Sequence, residues 1–503
     1  MKARCSLFAL LVVVIGAAAA APATCTSLEP LREINYYPRQ HAWLEFWPNW
    51  PDTRAEMDAD LDLVRDLGAN VVRIFVHPNA IGYPVPGDAF AGYFEDALTL
   101  IDDHGLKAHV TLFDCWWSWD DVQASEDWLD AVVGPYSGDP RIAVWELQNE
   151  VDLSQQVVRD WIQAVFPHLK GLAGSTPCTI SVNDVEWLDD VKALTGATPP
   201  DLYSLHWYPS SLLRWTTPLP AAIDRARELI GSAELLLGEF GTNTYHVSEA
   251  SQAYLYRDVL YHANQKQVVH LGAWTLYDFP EGVAQCTPDP APDTERYFGL
   301  YRLDGTPKPA AAVLKRAFHG DFPQTPVPDV MLNTSFEQIN LASGLVDNWQ
   351  PWDQFWSGEQ RFVQDCEVAF RGDCSLRVLA TPGTMAGMFY APGLPVTPGR
   401  SYYLEGHVRT ADLDGWARIV LAWFDCDENW LAQDVYAETT EPNTANWAPL
   451  RIVDAAPPAN ACYFQVYGQV SVADPLSRVW FDDVTILGHR IYLPLLVRPS
   501  VGR

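Results

Sequence analysis

The sequence predicts an α/β protein: a closed parallel (β/α)8 barrel of the TIM type, followed by an antiparallel β-sandwich of the jelly-roll kind. Eight short β-branched or apolar runs begin near residues 32, 70, 107, 142, 178, 202, 234 and 269, most of them about 35 residues apart. That spacing holds a strand, a loop and a helix with its return, whereas a sandwich would turn every ~8–12 residues. The interludes have helical periodicity. Beyond about residue 330 they stop, and short alternating runs take over, the pattern of an antiparallel sandwich.

Residues 1–21 read as a secretion signal, with Lys2 and Arg4 as a basic start, Leu7 to Ile15 apolar, and Gly16 to Ala21 a small-residue cleavage zone. An uncleaved anchor would need about 20 apolar residues. Lipidation of Cys25 is disfavoured because Pro22, Ala23 and Thr24 do not make the usual lipoprotein cleavage sequence.

The barrel is expected over 25–320. After Pro51, Thr53 and Glu56 have the spacing of a capping box, Met57, Leu61 and Val64 share one face, and Gly68 is a stop. Phe94, Leu98 and Ile101 repeat the stripe before Gly105 and the run Lys107 to Phe113. An open doubly wound sheet is the alternative, but the Gly-rich phosphate-binding turn it usually carries is absent. A barrel places its site at the carboxyl ends of the strands.

Residues 321–329, with Pro323, Pro326 and Pro328, read as a semi-rigid linker. The sandwich is expected over 330–489, with runs at Ser375 to Leu379, Tyr402 to Val408, Ala417 to Phe424 and Ala461 to Val466. The tail 490–503 contains Ile491 to Val497, too short to cross a bilayer.

The 503 residues suffice for two to four domains. Lys plus Arg number 33 against 64 Asp plus Glu, a net charge of −31, which excludes a phosphate-backbone partner such as nucleic acid. Twenty-one Trp suit sugar faces as well as cores. Nine Cys become eight without the leader, in a compartment where bridges persist. Cys366 with Cys374 and Cys426 with Cys462 are the expected pairs. Neither C-x-x-C nor H-E-x-x-H occurs, so neither a metal nor another cofactor is expected. No stable membrane span is expected, and a monomer is.

Two strand ends carry carboxylates: Glu146 to Glu150 in VWELQNE after the fourth run, and Glu239 in LLGEFG after the seventh. Two Glu at one barrel mouth can flank a scissile bond, and a separation of about 5 to 5.5 Å makes one the nucleophile and the other the acid/base. A lone strand-end Glu would more simply be solvated or ion-paired.

The LQNE and LLGEFG segments resemble the catalytic signatures of clan A glycoside hydrolases, most like the family 5 cellulases and mannanases. Arg73 in NVVRIFV, His206 and Tyr208 in LYSLHWYP, Trp274 in LGAWTLYDF and the exit FGLYRLDGTPKPAA match in order over about residues 30–318. The resemblance implies Glu150 as acid/base and Glu239 as nucleophile, with Asn149 on the sugar 2-hydroxyl. Arg73 and Tyr208 would keep Glu239 ionised, Trp274 would be a sugar platform, and His206 would touch either Glu. An acid must hold its proton near neutral pH, so Glu150 is expected in an apolar or carboxylate-rich surround. His41 and Trp43 are further candidates to line the cleft.

Val151 replaces a proline common in family 5, and LFDCWWSW from Leu112 is closer to a mannanase turn than to the cellulase histidine. The expected substrate is a β-1,4-mannan or β-glucan polysaccharide or oligosaccharide, cleaved outside the cell with retention. A transglycosylase on the same site and a non-catalytic sugar-binding protein are the alternatives.

LNTSFEQ, CSLRV and VWFDDVTI resemble jelly-roll carbohydrate-binding modules. Trp349, Trp352, Trp356, Trp416, Trp423, Trp430 and Trp447 are platform or core candidates, and the module would tether the catalyst to polymer. A purely structural sandwich is the competing expectation.

Overall fold

The computed structural model describes residues 28–208, 219–245, 247–286, 291–325, 331–340, 342–353, 361–397, 399–426, 429–444 and 446–487. The expected secretion signal, the end of the proline-rich linker, the C-terminal tail, Cys25 and Trp356 lie outside the described residues.

Nine parallel strands form one sheet: β1 Arg32–Asn35, β2 Val71–Phe75, β3 Lys107–Phe113, β4 Ile142–Gln148, β5 Cys178–Thr179, β6 Ser181–Val182, β7 Leu202–Trp207, β8 Glu234–Phe240 and β9 His270–Ala273. Their order is β5-β4-β3-β2-β1-β9-β8-β7-β6. The predicted runs all lie on these strands. The fifth run is split at Ile180, so β5 pairs with β4 and β6 with β7, and the continuous chain between them completes the ring.

The alternation of a strand decides what faces the barrel interior. Apolar Ile34, Val72, Ile74, Val110, Leu112, Trp145 and Leu147 alternate with Glu33, Asn35, Arg73, His109, Thr111 and Glu146, and both sets are buried. The interior of this barrel is therefore polar and charged on one side, a costly arrangement that persists only if every charge is paired.

The first helix, Trp50–Asp66, buries Met57, Leu61 and Val64 as expected, and Gly68 follows with φ +87°. Its start differs from expectation. Pro51 lies within its first turn, where its missing N–H is not needed. Thr53 Oγ donates to Asn49 O, and Glu56 accepts from Arg39 N and Nε, so no capping box forms. The helix Phe90–Asp103 buries Phe94, Leu98 and Ile101.

The sandwich pairs a six-stranded with a five-stranded antiparallel sheet. All four predicted runs lie on strands, Ser375–Val378, Tyr402–Ala411, Gly415–Phe424 and Tyr463–Val472. Trp349 and Trp423 are core residues, Trp352, Trp416 and Trp447 are half-buried, and Trp430 is exposed. Both expected disulfides form, Cys366–Cys374 and Cys426–Cys462. A third, Cys115–Cys286, was not foreseen. Cys178 is a buried free thiol, pushed up to about 12 by burial.

The sandwich also bonds to the barrel. Asn340 Nδ2 donates to Thr244 O and Val247 O, and Asn348 Oδ1 accepts from Ser248 N and Ser251 Oγ at 2.8 and 2.7 Å. These groups follow β8, the strand that carries Glu239.

Candidate active site

Arg73, on β2, is fully buried and is the hub of the site. Its Nη1 donates to Glu239 Oε1 and to Asn35 Oδ1, its Nη2 to Asn149 Oδ1 at 2.8 Å, and its Nε to Glu146 Oε2 at 2.8 Å. Burial works against the guanidinium charge, but Glu146 and Glu239 more than offset it and raise its affinity for the proton. Glu146 shows the reciprocal effect. Burial pushes it up, yet Arg73 and His109 hold it well below the usual carboxylate range. His109 Nδ1 is 3.1 Å from Glu33 Oε2 and its Nε2 is 3.4 Å from Glu146 Oε2, so the chain of charges runs from β1 to β8.

Glu239 is buried near the end of β8. Besides Arg73, it accepts from Tyr208 Oη at 2.5 Å. Glu150 lies just past β4 with φ +42°, the left-handed region that a side chain rarely adopts. Ser181 at the start of β6 holds this turn, its Oγ accepting from Glu150 N at 2.9 Å and its carbonyl from Val151 N. A strained residue held by a neighbouring strand is one aimed at a fixed point.

His206 on β7 joins the two carboxylates, with Nδ1 3.0 Å from Glu150 Oε1 and 3.4 Å from Glu239 Oε1. One ligand-capable atom from each of Glu150, His206 and Glu239 lies within 4.8 Å of the others. Asn183 Nδ2 donates to Glu150 Oε2 at 3.0 Å. Burial raises Glu150, but the His206 hydrogen bond and charge, with Asn183 and Arg73, bring it below the ordinary carboxylate value. Burial raises Glu239 above that value, against the pull of His206 and Arg73 and with the repulsion of Glu150. This ordering is the reverse of the sequence expectation of an apolar or carboxylate-rich surround for Glu150: the Glu239 carboxylate is there, but the His206 and Asn183 hydrogen bonds outweigh burial.

Trp274 follows β9. It lies edge-on to Tyr37 and Phe75, and Arg73 stacks over Phe75 at 4.5 Å. Gly241 allows this: a Cβ there would meet Trp274 O at 2.4 Å. The structure thus gathers Arg73, Asn149, Glu150, His206, Tyr208, Glu239 and Trp274 at one end of the barrel. Trp43 packs in the core against Tyr37 and Phe279 and reaches Trp274 only through the Tyr37 ring, and His41 lies 3.5 Å from Glu45.

Sequence reasoning gave no role to Glu33, His109, Glu146, Asn183 and Glu295. The first three sit on alternate strand positions, a signal that was available. Asn183, just after the fifth run, was also legible. Glu295, on the short helix Asp293–Arg296, had none, and it accepts from Trp274 Nε1 at 3.2 Å. A second group, His77, Asp114 and Cys115, has metal-ligand proximity, but the Cys115 sulfur is bonded to Cys286, and a disulfide sulfur is not a thiolate ligand.

Residues 34–279 match the family model described as cellulase (glycosyl hydrolase family 5). No curated protein matches the chain. Solved structures matched in part by this chain include an exo-β-1,4-mannosidase from Opitutaceae bacterium strain TAV5, 20% identical with a TM-score of 0.47, covering 57% of this chain. This chain spans 59% of that mannosidase's own length. A GH5_18 protein from Bifidobacterium longum subsp. longum ATCC 55813 in complex with Manβ1-4GlcNAc is 18% identical, covering 59% of this chain and 80% of its own, with a TM-score of 0.47. Another GH5_18 protein in complex with the same disaccharide, from Streptomyces cattleya, is 17% identical, covering 63% and 87%, also with a TM-score of 0.47.

Proposed function

The barrel of this chain, residues 34–279, is a glycosyl hydrolase family 5 domain, and on that premise we propose a secreted retaining enzyme that cleaves β-1,4-mannan or β-glucan type substrates through a covalent glycosyl intermediate. The observation that carries this reading is the approach of Glu150 and Glu239, with an oxygen of each within 4.8 Å of the other. Retaining pairs stand about 5 to 5.5 Å apart, whereas an inverting pair needs about 6.5 to 9.5 Å to admit water.

In this reading Glu239 attacks the anomeric carbon while Glu150 donates its proton to the leaving oxygen. Arg73 and Tyr208 donate to Glu239, which orients it and favours its charged form. The Glu150 side chain is 29% exposed in the free site, and a bound sugar covers that face. Removing water from a carboxylate raises its pKa, so substrate itself moves Glu150 towards the protonated state. Once the ester forms, Glu239 carries no charge, Glu150 loses its proton more readily, and it activates water. Asn149 Oδ1 is engaged by Arg73, which turns its amide N–H groups into the ones available for a sugar 2-hydroxyl.

Three disulfides support the extracellular assignment, and among the described residues no helix is long and apolar enough to cross a membrane. The sandwich is proposed to assist binding of the same polymer. The test is a panel of β-mannan, cellulose, mixed-linkage glucan and aryl β-glycosides with wild type and Glu239→Gln. Hydrolysis lost by the variant with sugar binding retained supports the proposal. Equal activity of the two proteins overturns it, and products lengthened by added acceptor sugar assign transglycosylation instead.

A further inference from the structure

Trp274 donates its indole N–H to Glu295 at 3.2 Å, so the ring proposed as the sugar platform is bonded to a carboxylate outside the proposed catalytic pair. The segment that carries Glu295 is pinned on several sides. Phe279 N donates to Arg296 O, Thr244 N to Tyr297 O, and Gln252 Nε2 to Phe298 O and Gly299 O. Asp278 Oδ1 accepts from Gly299 N at 2.9 Å and from the buried Lys308 Nζ at 2.7 Å. Phe298 in turn lies edge-on to Tyr208, the donor to Glu239. Glu295 is therefore held against the site by backbone bonds.

We propose that Glu295 is a specificity-determining residue: bonded to Trp274, it accepts a hydroxyl of an uncharged glycosyl unit on that ring and repels a glycosyl unit bearing its own carboxylate. This inference rests on the proposed function and deepens it by naming a residue that selects neutral hexosides over uronides.

The electrostatics agree. Burial, then the nearby charges of Glu239 and Glu150, push Glu295 up to about 7, with the Trp274 hydrogen bond pulling the other way. The other charged groups of its own segment are engaged with each other, Arg296 Nη1 donating to Asp293 Oδ1 at 2.6 Å. A carboxyl at that poise can accept a sugar hydroxyl or donate to one. An arriving uronate would add a fourth carboxylate near Glu150, Glu239 and Glu295, which is like-charge repulsion in a partly desolvated site.

The experiment compares 4-nitrophenyl β-mannoside and β-glucoside with 4-nitrophenyl β-glucuronide, using wild type, Glu295→Gln and Glu295→Ala. Glutamine keeps an oxygen for the Trp274 bond but not the charge. The expected result is that Glu295→Gln narrows the neutral-to-glucuronide ratio of kcat/KM at least tenfold and removes an ionisation near pH 7 from the profile. A wild-type ratio and profile in Glu295→Gln, with loss only in Glu295→Ala, would show that Glu295 merely holds the indole and overturn the proposal.

Binding gives a readout independent of turnover. The same compounds are titrated by tryptophan fluorescence into Glu239→Gln and Glu239→Gln/Glu295→Gln. A shift of at least fivefold in relative affinity towards the glucuronide supports the role of Glu295, and an unchanged ratio overturns it even if no glycoside is hydrolysed. Absence of hydrolysis by wild type on every glycoside defeats only the proposed function.

Discussion

His206 is hydrogen-bonded through Nδ1 to Glu150 Oε1 at 3.0 Å while standing 3.4 Å from Glu239 Oε1, so one imidazole edge acts on both carboxylates of the site. Its hydrogen bond and charge, with Asn183, take Glu150 below its ordinary value against the effect of burial. Proton placement between the two glutamates therefore depends on a residue whose role the sequence left open.

Replacing His206 with Ala removes a group that lowers the Glu150 pKa, so that pKa rises. If Glu150 must be protonated for the first step, the alkaline limb of kcat/KM moves to higher pH. The rate at the optimum falls by about 10²-fold, the lower range for loss of a proton-transfer partner. A pH profile on an aryl glycoside reads both effects, and a variant with the wild-type limb would remove His206 from the proton account.

Arg73 neutralises Glu146 and Glu239 inside the barrel, where side-chain exposure is at most 6%. Arg73→Met leaves buried carboxylates unpaired and should cost about 3–5 kcal/mol in unfolding free energy, measured by urea titration. Glu146→Gln tests pH dependence. The folded pKa of Glu146 lies below its unfolded value, so its contribution is present above the ordinary carboxylate pKa, about 4.3, and is lost as pH falls towards the folded value. The variant should lose less stability than wild type between pH 5 and pH 3, on the order of that window.

Asn348 is 1% exposed with φ +68° and braces Ser248 and Ser251 behind the Glu239 strand. Asn348→Ala strands the Ser248 N–H and places Ala in a left-handed conformation, a loss of about 1–3 kcal/mol. Calorimetry should show a lower Tm, and kcat should fall with it. An unchanged Tm would mean that the sandwich does not brace the barrel.

The Cys115–Cys286 bridge spans 171 residues of sequence and ties the loop after β3 to the segment after β9. In the chain-entropy model a loop of this length stabilises by about 5 kcal/mol. The Cys115→Ser/Cys286→Ser protein should unfold at lower denaturant concentration. A midpoint equal to wild type would place the constraint in the unfolded state's residual structure instead.

The barrel strands were legible because each carries a short cluster of β-branched or apolar residues, and the spacing between them admits little besides helices. The two glutamates proposed as the catalytic pair were legible because a barrel exposes the residues that end its strands. The capping box was misread because Thr53 and Glu56 have the correct spacing for a local bond, while Arg39, distant in sequence, competes for Glu56. Glu295 and Cys286 were not legible as partners of Trp274 and Cys115, since both lie on irregular segments whose path no periodicity records.

By itself, then, the sequence determined the architecture, the positions of Glu150 and Glu239, and two of the three bridges, all consequences of period, spacing or near neighbours along the chain. Only the tertiary structure decided the electrostatic order of the two glutamates, the buried file from Glu33 through His109, Glu146 and Arg73, and the brace from Asn340 and Asn348. Those properties depend on distances between residues far apart in sequence. A pKa or a buried ion pair is set by the few ångströms around a group, which folding creates.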